Sequence, residues 1–170
     1  YNKLNVRLGL LQLPIPLKSQ YNHHQRLIDL IEKPLWTATG NTANDTLVPD
    51  LVTIDRTGKE FQFIIFDAKY YNARLDPETL PKGQPGIEAI TKQYLYQLAY
   101  QQFIIDHGFS VIKNCFLIPT EGDVVIDKGE VSMQMLSSLG LQNIKVRFLP
   151  ATLAYEHYLT GRKMDISLLK

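Results

Sequence analysis

Two runs of apolar and β-branched residues, separated by a tight turn, dominate the hydrophobic pattern of the first half of the chain. They cover residues 47–55 and 61–70, and the turn covers residues 56–59. Gly58 in the turn can adopt a positive φ that other residues resist. The second run is almost wholly aromatic or β-branched, which is typical of a strand buried on both faces. The pattern therefore predicts an antiparallel hairpin with a buried second strand.

Helical periodicity is clearest over residues 86–107. Apolar side chains recur there at helical spacing, and a stripe of this kind normally packs against a core. The stripe contains Ile90, Tyr94, Leu95, Leu98, Phe103 and Ile105. A polar strip on the same helix contains Lys92, Gln93, Tyr96 and Tyr100. The pattern predicts a long amphipathic helix that follows the hairpin.

Two shorter segments also show helical patterns. Residues 21–33 carry an apolar face and stop at Pro34, which cannot continue a helix. Residues 151–160 follow a proline and precede Gly161, an order that favours a helix start and a helix end. We therefore predict one helix ahead of the hairpin and a second near the end of the chain.

The remaining segments complete an α/β domain. Loops are predicted where small, polar, proline and glycine residues cluster, over residues 36–45 and 72–85. Alternating or continuous apolar runs predict three further strands, over residues 111–119, 124–126 and 143–149. This order of elements predicts an α/β fold with a mixed β-sheet flanked by helices. Within it, residues 1–20 are interpreted as a lead-in or linker and residues 21–170 as the main domain.

Composition narrows the class of protein. The 170 residues are 45% hydrophobic and 21% charged, as in an ordinary globular domain. The net charge of +1 means that any affinity for DNA must come from a local basic surface. A single cysteine, Cys115, excludes an internal disulfide, and no apolar run is long enough to span a membrane. We predict a cytoplasmic protein, and the start at Tyr1 rather than methionine suggests part of a longer chain.

The hairpin carries two carboxylates in otherwise apolar surroundings. A turn centred between Gly58 and Lys59 pairs residues whose numbers add up to 117, which places Asp50 opposite Asp67. Directly opposed residues have Cβ atoms about 5 Å apart, and like charges there destabilise the pairing. A divalent cation would relieve this repulsion, because Mg²⁺ is bound by one or two carboxylates, water and substrate phosphate. Lys69 shares the face of Asp67, since side chains alternate along a strand.

A simpler interpretation of these residues is structural. Asp67 and Lys69 could form a half-buried ion pair, with Asp50 capping a turn after Pro49. The occurrence of Pro49-Asp50 across a short hairpin from Asp67-Ala68-Lys69 favours a functional site over that interpretation.

These residues resemble a known nuclease signature. Pro49-Asp50, sixteen intervening residues and Asp67-Ala68-Lys69 are similar to the motif of the PD-(D/E)XK nuclease superfamily. The wider strings LVPDLVTID, IIFDAKYYN and PGIEAITKQYLYQLAY, within residues 46–100, resemble LlaJI-type restriction endonucleases and, more distantly, the nuclease subunit of McrBC-type systems. The resemblance implies a restriction-endonuclease-like core and Mg²⁺-dependent hydrolysis of DNA phosphodiester bonds by the catalytic domain of a restriction enzyme.

The resemblance also implies roles for individual residues. Asp50, Asp67 and the backbone carbonyl of Ala68 would bind Mg²⁺, with Mn²⁺ as a substitute, and Lys69 would position or deprotonate the attacking water. A helix ahead of the hairpin often adds another acid in this superfamily; Glu32 is our first choice and Asp29 the second.

The long helix in the resembled nucleases carries a glutamine and a tyrosine that face the active site, and Gln93 and Tyr96 match them here. Related exonuclease-like families space this pair by four residues, which would put Lys92 in the first position. The alternative for the helix tyrosines is that they only fill the helix–sheet interface.

Double-stranded DNA is the expected partner. Arg74, Lys82 and Lys92 are candidate phosphate contacts, and so few cations predict weak binding with little sequence preference by this chain alone. We therefore expect an additional DNA-recognition domain or subunit, and a dimer on DNA is left open. His23 and His24 are adjacent, which is poor spacing for two metal ligands on one helix.

Two other functions remain open. The same core could serve a repair, recombination or transposition nuclease that prefers a DNA structure over a sequence. It could also be a non-catalytic DNA- or protein-binding module that retains the fold, although the complete set of Asp50, Asp67 and Lys69 argues against this.

Overall fold

A five-stranded mixed sheet forms the centre of the computed structural model, which describes residues 2–169 apart from the side chain of Ser137. The strands are β1 (Leu35–Trp36), β2 (Asn41–Thr42), β3 (Leu51–Thr57), β4 (Glu60–Ala68), β5 (Val111–Thr120), β6 (Ile126–Val131) and β7 (Ile144–Pro150). The two α-helices are α1 (Ile87–Asp106) and α2 (Ala151–Thr160). Strands β1 and β2 form a separate two-stranded ribbon.

The large sheet has the strand order β3-β4-β5-β7-β6. Strands β4, β5 and β7 run parallel to one another, and β3 and β6 are antiparallel edge strands. Helix α1 connects β4 to β5 across one face, as a crossover between parallel strands requires. The predicted α/β fold with a mixed sheet flanked by helices is confirmed. Because β4, β5 and β7 are parallel, their carboxyl ends meet at one edge of the sheet, called here the carboxyl edge.

The central hairpin has the predicted register. Leu51 pairs with Phe66 and Thr57 with Glu60, and Gly58 in the turn has a φ of +63°. Six consecutive residues of β4, from Gln62 to Asp67, are buried. The strand is therefore covered on both faces, as its aromatic and β-branched sequence predicts.

Helix α1 has the predicted extent but turns its polar strip, rather than its leucines, toward the sheet. Gln93, Tyr96 and Tyr100 are buried, whereas Leu95 and Leu98 are each 41% exposed. The prediction that the apolar stripe packs inward is confirmed for Tyr94 and Phe103, which are buried. It was wrong for those two leucines and for Ile105, which is 63% exposed. The reason lies beneath the helix, where backbone carbonyl groups of the hairpin offer hydrogen bonds that the glutamine and tyrosine side chains can make.

The helix predicted over residues 21–33 is wrong. That segment contains only the short 3-10 helix Leu27–Leu30, and its backbone pairs with the first residues of the chain instead. Leu8 N–H donates to the Gln25 carbonyl at 2.8 Å, and Leu27 N–H donates to the Val6 carbonyl at 3.2 Å. These long-range hydrogen bonds replace the helical ones.

The first 20 residues contribute to the core. Leu4 and Leu8 are buried in the same cluster as Phe63 and Tyr100, beneath α1. Farther along the segment, Asp106 at the end of α1 accepts hydrogen bonds from side chains that include Lys18 and Tyr21. The division of the chain at residue 20 stays a prediction.

Two further predictions differ from the structure in detail. The predicted loop at residues 36–45 contains part of the β1–β2 ribbon, and the strand expected at residues 124–126 begins only at Ile126. The strands predicted at residues 111–119 and 143–149 are confirmed to within one residue, and α2 is confirmed in full. Among residues 2–169, no helix combines the length and apolar character needed to cross a membrane.

Candidate active site

The proline–aspartate pair stands at the entrance to β3. Pro49 is buried and Asp50 is exposed, one residue before Leu51. Continuing the register of the hairpin by one residue sets Asp50 opposite Asp67. Asp50 Oδ2 accepts a hydrogen bond of 2.8 Å from the backbone N–H of Ala68. The Asp50 carboxylate is therefore tied to the strand that carries Asp67.

Asp67 and Lys69 form an ion pair at the end of β4. Lys69 Nζ lies 2.5 Å from Asp67 Oδ2, and the two side chains are only 15% and 6% exposed. Their contact confirms that both project from the same face of the strand. The Lys69 backbone N–H donates to the Leu117 carbonyl at 2.8 Å, so the pairing with β5 extends past Ala68.

Phe116 supports the lysine from the neighbouring strand, a role that no sequence pattern indicated. It pairs with Asp67 in the parallel register of β4 and β5 and is fully buried. Lys69 Nζ lies 5.5 Å from the centre of the Phe116 ring, close enough for a cation–π interaction. Because the register of a parallel pair is set across a long connection, the sequence of the hairpin alone could not identify this contact.

The carboxylates of Asp50 and Asp67 affect each other's protonation. Burial raises the pKa of Asp67 above its ordinary value of 3.8, and the neighbouring Asp50 carboxyl raises this pKa further. The Lys69 ammonium lowers the pKa but does not cancel the rise. The protein without metal therefore disfavours the charged form of Asp67, despite the ion pair.

We expect Asp67→Asn to stabilise the metal-free protein, because asparagine has nearly the same shape and removes one of two opposed charges. Relief of a like-charged cross-strand pair contributes about 0.5–1 kcal/mol, or about 1–4 °C in a domain of this size. Thermal unfolding in EDTA measures the change. A clear fall in melting temperature would show that Asp67 is held mainly by its ion pair with Lys69.

The raised pKa of Asp67 also determines how its contribution to folding stability changes with pH. Between pH 3.8 and the folded-state pKa of Asp67, this group binds more protons in the folded chain than in the unfolded chain. Its contribution to stability is therefore most favourable below pH 3.8 and becomes less favourable as the pH rises through the folded-state pKa. The stabilisation by Asp67→Asn should accordingly be larger at neutral pH than at pH 3.8.

Gln93 and Tyr96 reach from α1 to the two strands that carry the aspartates. Gln93 Nε2 donates to the Ile65 carbonyl at 3.1 Å, and Tyr96 Oη donates to the Val48 carbonyl at 2.9 Å. Each acceptor lies two residues before one of the aspartates. The two side chains fill the helix–sheet interface and at the same time hold the backbone of the site.

The pKa of the Tyr96 phenol also responds to the charges of the site. Burial raises its pKa, and the negative charges of Asp67 and then Asp50 raise it further. The hydroxyl therefore stays protonated at neutral pH and remains a donor to the Val48 carbonyl. Lys92, the alternative to Gln93, has its Nζ 5.9 Å from the centre of the Tyr96 ring.

The additional acid of the site stays a prediction. Glu32 is exposed, and its backbone carbonyl accepts a hydrogen bond of 2.6 Å from the Thr46 hydroxyl. The Asp29 carboxylate is paired at 2.7 Å with Arg26, which lowers its pKa. Among residues 2–169, no three His, Cys, Asp or Glu side chains are grouped closely enough to hold a metal ion. The structure thus does not bring Glu32 into a three-acid cluster with the two aspartates.

The predicted phosphate contacts in the loop at residues 72–85 lie beside each other. Arg74 and Lys82 exchange backbone hydrogen bonds of 2.8 and 3.2 Å, and both residues are exposed. The loop is therefore braced by a short bridge that presents two cations to solvent. His23 and His24 are also exposed, and no metal cluster within the described residues includes them.

Two carboxylates suit a hard divalent cation that completes its coordination with water and phosphate oxygens. Asp67 Oδ2 is buried in its ion pair with Lys69, and the Asp50 carboxyl is close enough to raise the pKa of Asp67. Two neighbouring carboxylates of this kind fit a Mg²⁺ site of the two-carboxylate kind. The site also places a cationic ammonium beside the same oxygen.

Comparisons with known proteins point to restriction enzymes. The model of a family described as LlaJI restriction endonuclease matches residues 18–150. The chain is also 30% identical over 152 residues to the Type II restriction enzyme BsuMI component YdjA of Bacillus subtilis (strain 168). That alignment covers 85% of this chain and 31% of the relative, so the chain spans about a third of the relative's length. No solved structure gives a significant match.

Proposed function

Because the chain belongs to the LlaJI restriction endonuclease family, we propose that it is a Mg²⁺-dependent endodeoxyribonuclease, the catalytic part of a restriction enzyme. The observation that carries the proposal is the pairing of Asp50 with Asp67 and Lys69 at the carboxyl edge of the sheet. This arrangement also supports assignment to the PD-(D/E)XK superfamily. Ligand sites in open α/β sheets commonly lie at this edge.

We assign the metal-binding role to Asp50, Asp67 and the backbone carbonyl of Ala68. Mg²⁺, when bound there, supplies Lewis acidity to the scissile phosphate. The pairing of Asp50 Oδ2 with the Ala68 N–H fixes the separation of the two strands at this point. The side chains that donate to the Ile65 and Val48 carbonyls hold the backbone behind both aspartates.

Lys69 supplies the positive charge nearest to the proposed reaction. Hydrolysis forms a P–O bond to a water oxygen and breaks an ester P–O bond, so negative charge accumulates on the phosphate oxygens. A preorganised ammonium stabilises such charge and can orient the attacking water by hydrogen bonding. The side chain is held in place by Asp67 and by the Phe116 ring.

The BsuMI relative is named as a component of a restriction enzyme. We propose that the present chain likewise acts with a further domain or subunit that selects the DNA sequence. The net charge of +1 supports this, because it offers little sequence-independent attraction to DNA.

The direct test is incubation of the full-length protein with DNA in the presence of Mg²⁺, of Mn²⁺ or of EDTA. We expect discrete cleavage products with either metal ion and none in EDTA. Parallel reactions with linear, flapped and branched DNA separate a sequence-dependent enzyme from a repair nuclease. Undiminished cleavage in EDTA would contradict the metal-dependent mechanism, and preference for a branched DNA would favour the repair function.

A further inference from the structure

A small cavity lies at the carboxyl edge of the sheet, on the opposite face of β4 from the carboxylates. Its volume is about 320 Å³, near the lower limit for small-ligand pockets. Its floor and walls come from the ends of β4, β5 and β7 and from α2. The lining includes Ala68, Tyr70, Leu117, Leu149, Tyr155 and Tyr158.

Three tyrosines around this cavity are unusually exposed. Tyr70 is 87% exposed, Tyr155 69% and Tyr158 83%. Helix α2, which provides two of them, has no buried residue and touches the sheet through residues that are at most half-buried. Single exposed aromatic residues are ordinary, but three that converge on one cavity form an exposed apolar surface of the kind that binds a ligand or partner.

The cavity lies next to the proposed catalytic residues along the chain, on the other face of β4. Ala68, in its wall, stands between Asp67 and Lys69 in the chain, and Tyr70 follows Lys69. Consecutive Cα atoms are about 3.8 Å apart. A group bound in the cavity would therefore lie within a few ångströms of the backbone that positions the site.

The lining selects a flat, uncharged ligand. None of the residues around the cavity carries a charge, so the cavity offers no ion pair to a phosphate group. Aromatic side chains bind the faces of nucleobases by stacking, and they do so for every base. In a continuous duplex those faces are covered by neighbouring bases, so only an unstacked base can use such a surface.

We propose that the Tyr70–Tyr155–Tyr158 cavity binds an unstacked nucleobase of the DNA substrate beside the scissile phosphate. This inference rests on the proposed nuclease function, because Ala68 and Tyr70 of the cavity are the chain neighbours of Asp67 and Lys69. Beyond that function, the inference requires that the bound DNA is locally unpaired. A protein contact through α2 is the competing use of the same surface.

Binding in EDTA tests the inference without any contribution from cleavage. The full-length protein is titrated with fluorescent DNA that is fully paired or that carries a short unpaired stretch. We expect tighter binding of the unpaired DNA by the wild type. Tyr158→Ala and Tyr155→Ala should each weaken that binding by roughly 5- to 150-fold, the range for loss of one stacked base.

Two control variants make the test specific. Tyr158→Phe keeps the aromatic face and should bind the unpaired DNA as the wild type does. Ile105→Ala removes another exposed apolar side chain, 63% exposed, at the far end of α1, and should have no effect. Because the tyrosines are exposed, their replacement should leave the melting temperature nearly unchanged.

Each other outcome has a defined meaning. Equal binding of all DNAs by the alanine variants and the wild type, while the wild type still cleaves DNA, would overturn the inference and leave the nuclease function intact. Loss of oligomers or of a copurifying subunit in Tyr158→Ala, with DNA binding unchanged, would assign the surface to a protein contact and also overturn it. Absence of cleavage by the wild type under every metal condition would instead contradict the nuclease function.

Discussion

Asp67→Ala should reduce DNA cleavage by about 10³-fold or more while leaving the protein folded. Asp67 is the buried member of the carboxylate pair and also holds Lys69. Charge stabilisation by a bound metal ion amounts to several kcal/mol in a hydrolytic transition state, and each 1.36 kcal/mol corresponds to tenfold in rate. Cleavage of a defined DNA at saturating Mg²⁺ measures the loss.

Lys69→Ala should cause a loss of similar size by a different route, because it leaves both carboxylates in place. Metal binding should therefore survive in Lys69→Ala and weaken in Asp67→Ala, as a calorimetric titration with Mg²⁺ would show. Glu60→Ala is the matched control, since Glu60 is an exposed acid at the opposite end of β4. Full activity in Asp67→Ala would refute the proposed site.

Asp67→Asn separates activity from stability in the same experiment. It should be as inactive as Asp67→Ala and yet more stable than the wild type in EDTA. A destabilised inactive variant could be explained by unfolding, whereas a stabilised inactive variant could not. A substitution that raises stability and abolishes activity is expected where two like charges are held close together for function.

The local parts of this site were predictable from the sequence. The hairpin register follows from one turn and two short strands, so a single glycine fixes which residues oppose each other. The ion pair of Asp67 and Lys69 follows from the alternation of side chains along β4. The boundaries of β5, β7 and α2 likewise follow from local periodicity.

The largest failures involve contacts between distant segments. Residues 21–33 have a helical pattern, but hydrogen bonds to the first residues of the chain replaced the helix. The outward position of Leu95 and Leu98 depends on what lies beneath α1. Hydrophobic periodicity measures the difference between the two faces of a helix, and it could not reveal that carbonyl groups of the hairpin would attract the glutamine and tyrosine face inward.

The second large effect is expected from Tyr96, on the face of α1 that packs against the sheet. We expect Tyr96→Phe to reduce kcat by roughly 10- to 100-fold, because the lost hydroxyl ties α1 to the Val48 carbonyl two residues before Asp50. A displacement of about 1 Å in a catalytic group can cost about 10²-fold in rate. The stability cost should be only about 1 kcal/mol, since the aromatic ring remains to fill the interface.

Tyr100→Phe is a closely matched control on the same helix. The Tyr100 side chain is also fully buried, but among the described residues its hydroxyl has no hydrogen-bond partner. Removing a buried hydroxyl that lacks a partner should be neutral or stabilising, and it should leave kcat unchanged.

The kinetic pattern distinguishes positioning from general packing. If Tyr96 positions Asp50, Tyr96→Phe should lower kcat with little change in KM, and its melting temperature should fall by no more than about 4 °C. If Tyr96 only fills the interface, Tyr96→Phe and Tyr100→Phe should have the same kcat as the wild type. Equal activities in the two variants would therefore show that Tyr96 does not position the site. Its hydroxyl would then be only a structural link between α1 and the hairpin.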